Sequence, residues 1–120
     1  MSKNLEIALL CDFYGELLTE KQRDCIVLYY DQDLSLGEIA ENTGITRQGV
    51  RDSIKRGEAT LLEMEEKLGL CRRYRQMYQG LERITQEAKN ISLLNDNYNS
   101  SAEIERSVKA ILETVKEIGE

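Results

Sequence analysis

Residues 36–54, LGEIAENTGITRQGVRDSI, have the spacing of a helix-turn-helix. Two helices that cross closely need a small side chain at the crossing, and Ala40 supplies one in the first helix. Gly44 follows four residues later and suits the left-handed conformation in which many helices end. The apolar positions that would face a common core are Ile39, Ile45, Val50 and Ile54. The stretch therefore predicts two helices joined by a tight turn, the second with a polar outer face.

Side-chain caps predict where the neighbouring helices begin. Thr19 with Gln22, and Ser35 with Glu38, both fit the capping box, in which two side chains bond reciprocally to backbone amides at a helix start. Thr46 is a third capping residue. Helices are expected over 4–17, over 19–30, from 35 to a stop at 42–44, and from 46 to about 69.

Apolar stripes run through the carboxyl-terminal half in alternating steps of four and three residues. They cover residues 50–68, 70–91 and 104–118, which is the spacing of helix–helix seams. The polar residues 95–101 are expected to form a loop, with Ser100 capping the last helix.

These patterns predict an all-α fold in two parts. Residues 1–69 form a helix-turn-helix domain of the DNA-binding type, and residues 70–120 form a helical extension for interaction or dimerisation. The stripes can pack within one chain as a hairpin or between chains. Three stripes in so short a segment favour a homo-oligomer, with a dimer as the preferred form.

The composition limits the classes of function. The 120 residues include no proline, no histidine and three cysteines without a CxxC pair, so neither a structural zinc site nor a cofactor is expected. No secretory signal or membrane span is visible, which predicts a cytoplasmic protein. No phosphate-binding loop or nucleophile motif is present, which predicts that the protein is not an enzyme.

The polar face of the second motif helix is the candidate nucleic-acid site. Arginine can pair with guanine and glutamine with adenine when such a helix enters the major groove. The net charge of the chain is −6, but residues 35–56 and 71–90 each carry an excess of basic over acidic residues. The acidic total therefore does not exclude that this face binds DNA. The candidate residues are Thr46, Arg47, Gln48, Arg51, Asp52, Lys55 and Arg56.

Residues 18–63 resemble sigma-factor region four, and more closely the YlxM family of small helix-turn-helix proteins. The resemblance is carried by LTEKQ at 18–22, LSLGEIAE at 34–41 and TRQGVRDSIKR at 46–56. It implies a link to components of the signal recognition particle pathway and a regulatory, nucleic-acid-binding role. It also implies groove-facing roles for Thr46, Arg47, Gln48, Arg51 and Lys55. The upstream domains of a sigma factor are missing, so a complete initiation factor is not expected.

Two alternatives stay open. The chain could instead be a protein-interaction module that uses the same fold to bind a targeting-pathway protein or ribonucleoprotein without binding DNA. A basic and aromatic cluster bears on this choice. In one interpretation its side chains stack on RNA bases. In the other, which is preferred, Tyr74 belongs to the core and the arginines pair with acidic residues of the fourth helix. The cluster consists of Arg72, Arg73, Tyr74, Arg75 and Tyr78.

Overall fold

The computed structural model describes residues 3–120, and all regular structure in this range is helical, which confirms the predicted all-α class. A 3-10 turn, Gly15–Leu17, follows the first helix, and a π-helical turn, Asn95–Asn99, follows the fifth. The helices are α1 (Glu6–Tyr14), α2 (Glu20–Tyr30), α3 (Leu36–Thr43), α4 (Arg47–Leu68), α5 (Leu70–Leu94) and α6 (Ala102–Gly119). The chain divides into two compact units, Met1–Arg72 and Arg73–Glu120.

Both predicted capping boxes are present. The Thr19 hydroxyl accepts from the Gln22 amide at 3.2 Å, and the Gln22 side-chain oxygen accepts from the Thr19 amide at 3.3 Å. The Ser35 hydroxyl and the Glu38 carboxylate make the equivalent pair of bonds, both at 3.1 Å. The bond from the Ser35 amide lowers the pKa of Glu38. These local bonds fix the first residues of α2 and α3.

The core of the first unit is built around α4, which packs against α1, α2 and α3. The stripe predicted along α4 is internal from Val50 to Leu61, because Val50, Ile54 and Leu61 are fully buried. Gly57 continues the stripe where α4 meets α2, and a Cβ there would lie 2.5 Å from Cδ1 of Ile26. The stripe from Val50 to Leu61 therefore packs within the chain, whereas Leu68 at its end is 48% exposed.

The junction between α4 and α5 is one residue long and is held by a carboxylate. Gly69 ends α4 in a left-handed conformation at φ 63°. Glu65 then accepts hydrogen bonds from the backbone amides of Cys71 and Arg72, at 3.1 and 3.0 Å. The Tyr14 hydroxyl donates to Glu65 at 2.8 Å and accepts from the Leu70 amide at 3.0 Å. These bonds hold residues 70–72, the start of α5, within the first unit.

The three cysteines are thiols at different depths in the first unit. Cys25 in α2 and Cys71 in α5 are buried, whereas Cys11 in α1 is half-buried. Burial raises the pKa of Cys11 and of Cys25. Neither of these two thiols is therefore activated for nucleophilic chemistry.

The second unit is an antiparallel hairpin of α5 and α6. Ala88 and Val108 are each only 2% exposed and form its centre. Toward the turn, the Ser92 hydroxyl donates to the Glu105 carboxylate at 3.0 Å. Within the described residues, no helix is both long enough and apolar enough to cross a membrane.

The turn of the hairpin differs from the sequence prediction. Residues 95–99 continue the helix as a π turn rather than forming a loop. Buried Asn95 stabilises the turn, since its side-chain oxygen and nitrogen bond to the Ser101 amide and carbonyl, both at 2.8 Å. Ser100 is left-handed at φ 50°, so Ser101 caps α6 instead, accepting from the Ile104 amide. The prediction that Ser100 is the cap was wrong by one residue.

Candidate nucleic-acid interface

The candidate interface is held in place by the turn between α3 and α4. Gly44 adopts the left-handed conformation that the sequence predicts, at φ 76°, and its amide bonds to the Ala40 carbonyl at 2.9 Å. Ile39 of α3 and Val50 of α4 are fully buried on the facing sides of the two helices. The turn therefore fixes the amino-terminal half of α4 with its opposite side toward solvent.

All seven predicted interface residues are exposed. At about 100° per residue, Gln48, Asp52 and Lys55 project almost directly away from buried Val50. Arg51 lies on the flank next to Lys55, and the remaining two α4 residues, Arg47 and Arg56, lie at the two edges of this face. The structure thus brings the predicted α4 side chains onto one outward surface.

Thr46 has a structural task in addition to its position near this surface. Its hydroxyl oxygen accepts a hydrogen bond from the Gly49 amide at 2.9 Å, so it is the amino-terminal cap of α4. The helix itself begins at Arg47, one residue later than the sequence pattern predicts. The Thr46 hydroxyl therefore keeps its O–H donor and one lone pair for a further partner.

Arg47 lies beside the first turn of α3. Its Nε would be 3.8 Å from a Cβ built on Gly37. That distance is ordinary van der Waals contact, so Arg47 has the same room beside alanine as beside glycine at this position. The approach of Arg47 to α3 could not be predicted from the sequence, because it depends on contact between two helices rather than on spacing within one.

A hydrogen bond links two residues of the outer face. The Gln48 side-chain amide donates to the Asp52 carboxylate at 3.1 Å. The bond orients the Gln48 side chain and places one negative charge among four positive ones on this part of α4. Its i, i+4 spacing is the pattern that could have indicated it from the sequence.

The basic and aromatic cluster at the start of α5 is on the surface. Tyr74 and Tyr78 are 42% and 50% exposed, and their rings stack with centroids 6.3 Å apart. The prediction that Tyr74 belongs to the core was therefore wrong. Arg73 and Arg75 are exposed and, among the described residues, take part in no ion pair, whereas Arg72 lies close enough to Glu65 of α4 to help lower the pKa of that carboxyl.

Capped α3, a left-handed glycine turn and a longer α4 with a buried inner face define a helix-turn-helix protein. The family model described as "Putative helix-turn-helix protein, YlxM / p13 like" matches residues 1–111, and the chain belongs to this family, UPF0122. The predicted YlxM resemblance is confirmed.

Relatives match over nearly the full length. A UPF0122 protein of Acetivibrio thermocellus is 46% identical over 120 residues, covering 100% of this chain and 99% of the relative. A UPF0122 protein of Geobacillus kaustophilus is 42% identical over 111 residues, covering 92% of this chain and 96% of the relative. A third, of Thermoanaerobacter sp. (strain X514), is 41% identical over 114 residues, covering 95% and 94%.

Proposed function

We propose that this protein is a cytoplasmic, non-enzymatic regulator that binds duplex DNA through the amino-terminal half of α4. The observation that carries the proposal is the two-sidedness of that half-helix. Val50 and Ile54 are fully buried, while the opposite side exposes a run of side chains that can read base edges and meet phosphates. A helix held at its inner side by a second helix, with its first turns outward, is how helix-turn-helix proteins dock in the major groove.

The side chains on this face divide into two roles in the proposal. Arg47, Gln48 and Arg51 lie in the first turns and read base edges, where a bidentate pair contributes about 1–3 kcal/mol of discrimination. Lys55 and Arg56 lie farther along α4 and meet phosphates, which position the helix without reading sequence. Few phosphates are neutralised by one such module, so its affinity is modest and falls as salt rises.

The proposal is tested by fluorescence anisotropy with a random-sequence duplex pool at low and moderate salt. The double variant Arg47→Ala/Arg51→Ala removes two exposed cations and no core contact, so it should keep its helicity and lose most of the binding. The matched control Arg73→Ala/Arg75→Ala removes the same charge from α5 and should bind like the wild type. Absence of wild-type binding at low salt, or equal loss in both double variants, would refute this site.

A second candidate function is favoured by the stacked tyrosines of α5. Tyr74 and Tyr78, with Arg73 and Arg75 beside them, form an exposed surface of the type that contacts RNA or a ribonucleoprotein. In this alternative the protein is an interaction module for a component of the signal recognition particle pathway. When binding is measured to the purified particle RNA and its GTPase, this alternative requires that Arg73→Ala/Arg75→Ala loses binding and that Arg47→Ala/Arg51→Ala keeps it.

A further inference from the structure

The apolar stripe of α5 is wider than α6 can cover. Ala88 is buried against α6, and Leu81 is half-buried, with its Cδ1 3.9 Å from where a Cβ on Gly119 would lie. Three residues of the same predicted stripe remain substantially exposed along one flank of α5. They are Met77, Ile84 and Ile91, at 42%, 48% and 44% exposure and seven residues apart.

A matching row lies on α6. Ile104 is half-buried, Ile111 is 38% exposed and Ile118 is 51% exposed, again at intervals of seven residues. Ile111 lines one open groove together with Ile84 and Ile91 of α5, so the two rows are on the same side of the hairpin. These six residues, two rows of three, are called the hairpin face. Since α5 and α6 are antiparallel, the rows pair in three tiers, with Ile84 and Ile111 in the middle.

We propose that a second copy of the chain covers the hairpin face, so that two hairpins form an antiparallel four-helix bundle. A two-fold axis through the middle tier places Ile84 and Ile111 of both copies at the centre. The outer tiers then exchange: Met77 and Ile118 of one copy meet Ile91 and Ile104 of the other. A four-helix bundle buries apolar stripes of this width fully, because the stripes of all four helices face one shared core.

The charges beside the face are self-complementary in this arrangement. Arg83 and Glu87 both border the groove and are four residues apart on α5. A two-fold axis passing between them brings Arg83 of each copy to Glu87 of the other, so two ion pairs form at once. A partner of different sequence would have to supply both charges in the same order, whereas a second copy supplies them through symmetry alone.

The size of the face also fits a second copy. Six apolar side chains that are about half exposed leave on the order of 400–500 Å² of apolar surface on each hairpin, which is at the upper end of what a monomer exposes in one patch. Two such faces, with their polar borders, reach the roughly 1,000 Å² that a specific interface needs.

The test is sedimentation equilibrium of the full chain without nucleic acid, so its outcome does not depend on DNA binding. The wild type should approach twice the 13.8 kDa chain mass at micromolar concentrations. Ile84→Glu, or Ile111→Glu on the other helix, should weaken association at least tenfold while helicity by circular dichroism is kept. Gln86→Glu adds the same charge on the opposite, exposed side of α5 and should leave association unchanged.

Charge exchange tests the symmetry. Arg83→Glu and Glu87→Arg should each associate more weakly than the wild type, because like charges then meet across the axis. An equimolar mixture of the two variants should recover association, since every cross-pair is again opposite in sign. A wild type that stays monomeric, an Ile84→Glu variant that associates normally, or a mixture no stronger than its components would overturn the proposal.

Discussion

Gly57 is the point where α4 comes closest to α2, and adding one methyl group there tests the packing of the first unit. A Cβ at this position would lie 2.5 Å from Cδ1 of Ile26, far inside van der Waals contact. Its next neighbours, Cγ1 of Ile26 and Cβ of Gln22, would both be at an ordinary 3.5 Å. Ile26 is only 1% exposed, so its terminal methyl has no solvent to turn into. Gly57→Ala therefore collides with a single atom.

The magnitudes predict a strong interaction between the two positions. Alanine gains about 1 kcal/mol over glycine inside a helix, and overpacking a core costs about 1–3 kcal/mol. Gly57→Ala should therefore lower the free energy of unfolding by on the order of 1 kcal/mol. Ile26→Val deletes the colliding methyl and alone costs about 0.5–1.5 kcal/mol. In the double variant the methyl group added by Gly57→Ala fits, so the stability should lie close to that of the wild type, with a coupling energy of about 1–3 kcal/mol.

The assay is a double-mutant cycle in urea, followed by far-ultraviolet circular dichroism. The control is Gly37→Ala in α3 of the same unit, where a Cβ would meet nothing closer than an ordinary 3.8 Å. That change should stabilise the protein by up to about 1 kcal/mol and should add to Ile26→Val without coupling. Additivity of Gly57→Ala and Ile26→Val to within about 0.3–0.5 kcal/mol, or a Gly57→Ala variant more stable than the wild type, would refute the reasoning.

Three further changes have definite expected directions. Gly44→Ala should cost about 1 kcal/mol in urea unfolding, because its φ of 76° disfavours a Cβ although space is open there; an unchanged midpoint would contradict this. Asp52→Asn removes the negative charge from the outer face of α4 and should raise duplex-DNA affinity about two- to fivefold at low salt, with equal or weaker binding as the contrary result. Burial raises the pKa of Glu65, but hydrogen bonds, first that from Tyr14, outweigh it and hold the pKa below 4.5. The ionised Glu65 therefore stabilises the fold fully above pH 4.5, and this contribution is lost as the pH falls through the lowered pKa. The loss of unfolding free energy caused by Glu65→Gln should accordingly shrink in acid, and a loss that is the same at every pH would contradict this.

Helix starts in the first unit could be predicted because their determinants are local. Thr19 with Gln22, and Ser35 with Glu38, lie three residues apart, and each pair makes the bonds that its pattern predicts. The left-handed turn at Gly44 is equally local. The contact of Tyr14 with Glu65 joins residues 51 apart, so no short pattern indicated it.

The wrong predictions concern segments whose composition or periodicity is compatible with two different structures. The polar run that begins at Asn95 is typical of a loop, yet a buried side chain that bonds twice to Ser101 keeps its first part helical. Tyr74 fits the apolar stripe of α5 by spacing, but it is 42% exposed. Periodicity shows which side of a helix is apolar, and only the neighbouring helices decide how much of that side they cover. The outward face of α4 could be predicted because the opposite side of the helix, which includes Val50, is fully buried.

The placement of the thiols gives the protein internal probes of its own local opening. Cys25 and Cys71 lie on different helices, and each can react with a thiol reagent only when the structure around it opens. Half-buried Cys11 should react first and supply the reference rate. Mass spectrometry of the modified chain would then compare the opening of α2 with that of the first turn of α5, in the native protein, without an engineered label.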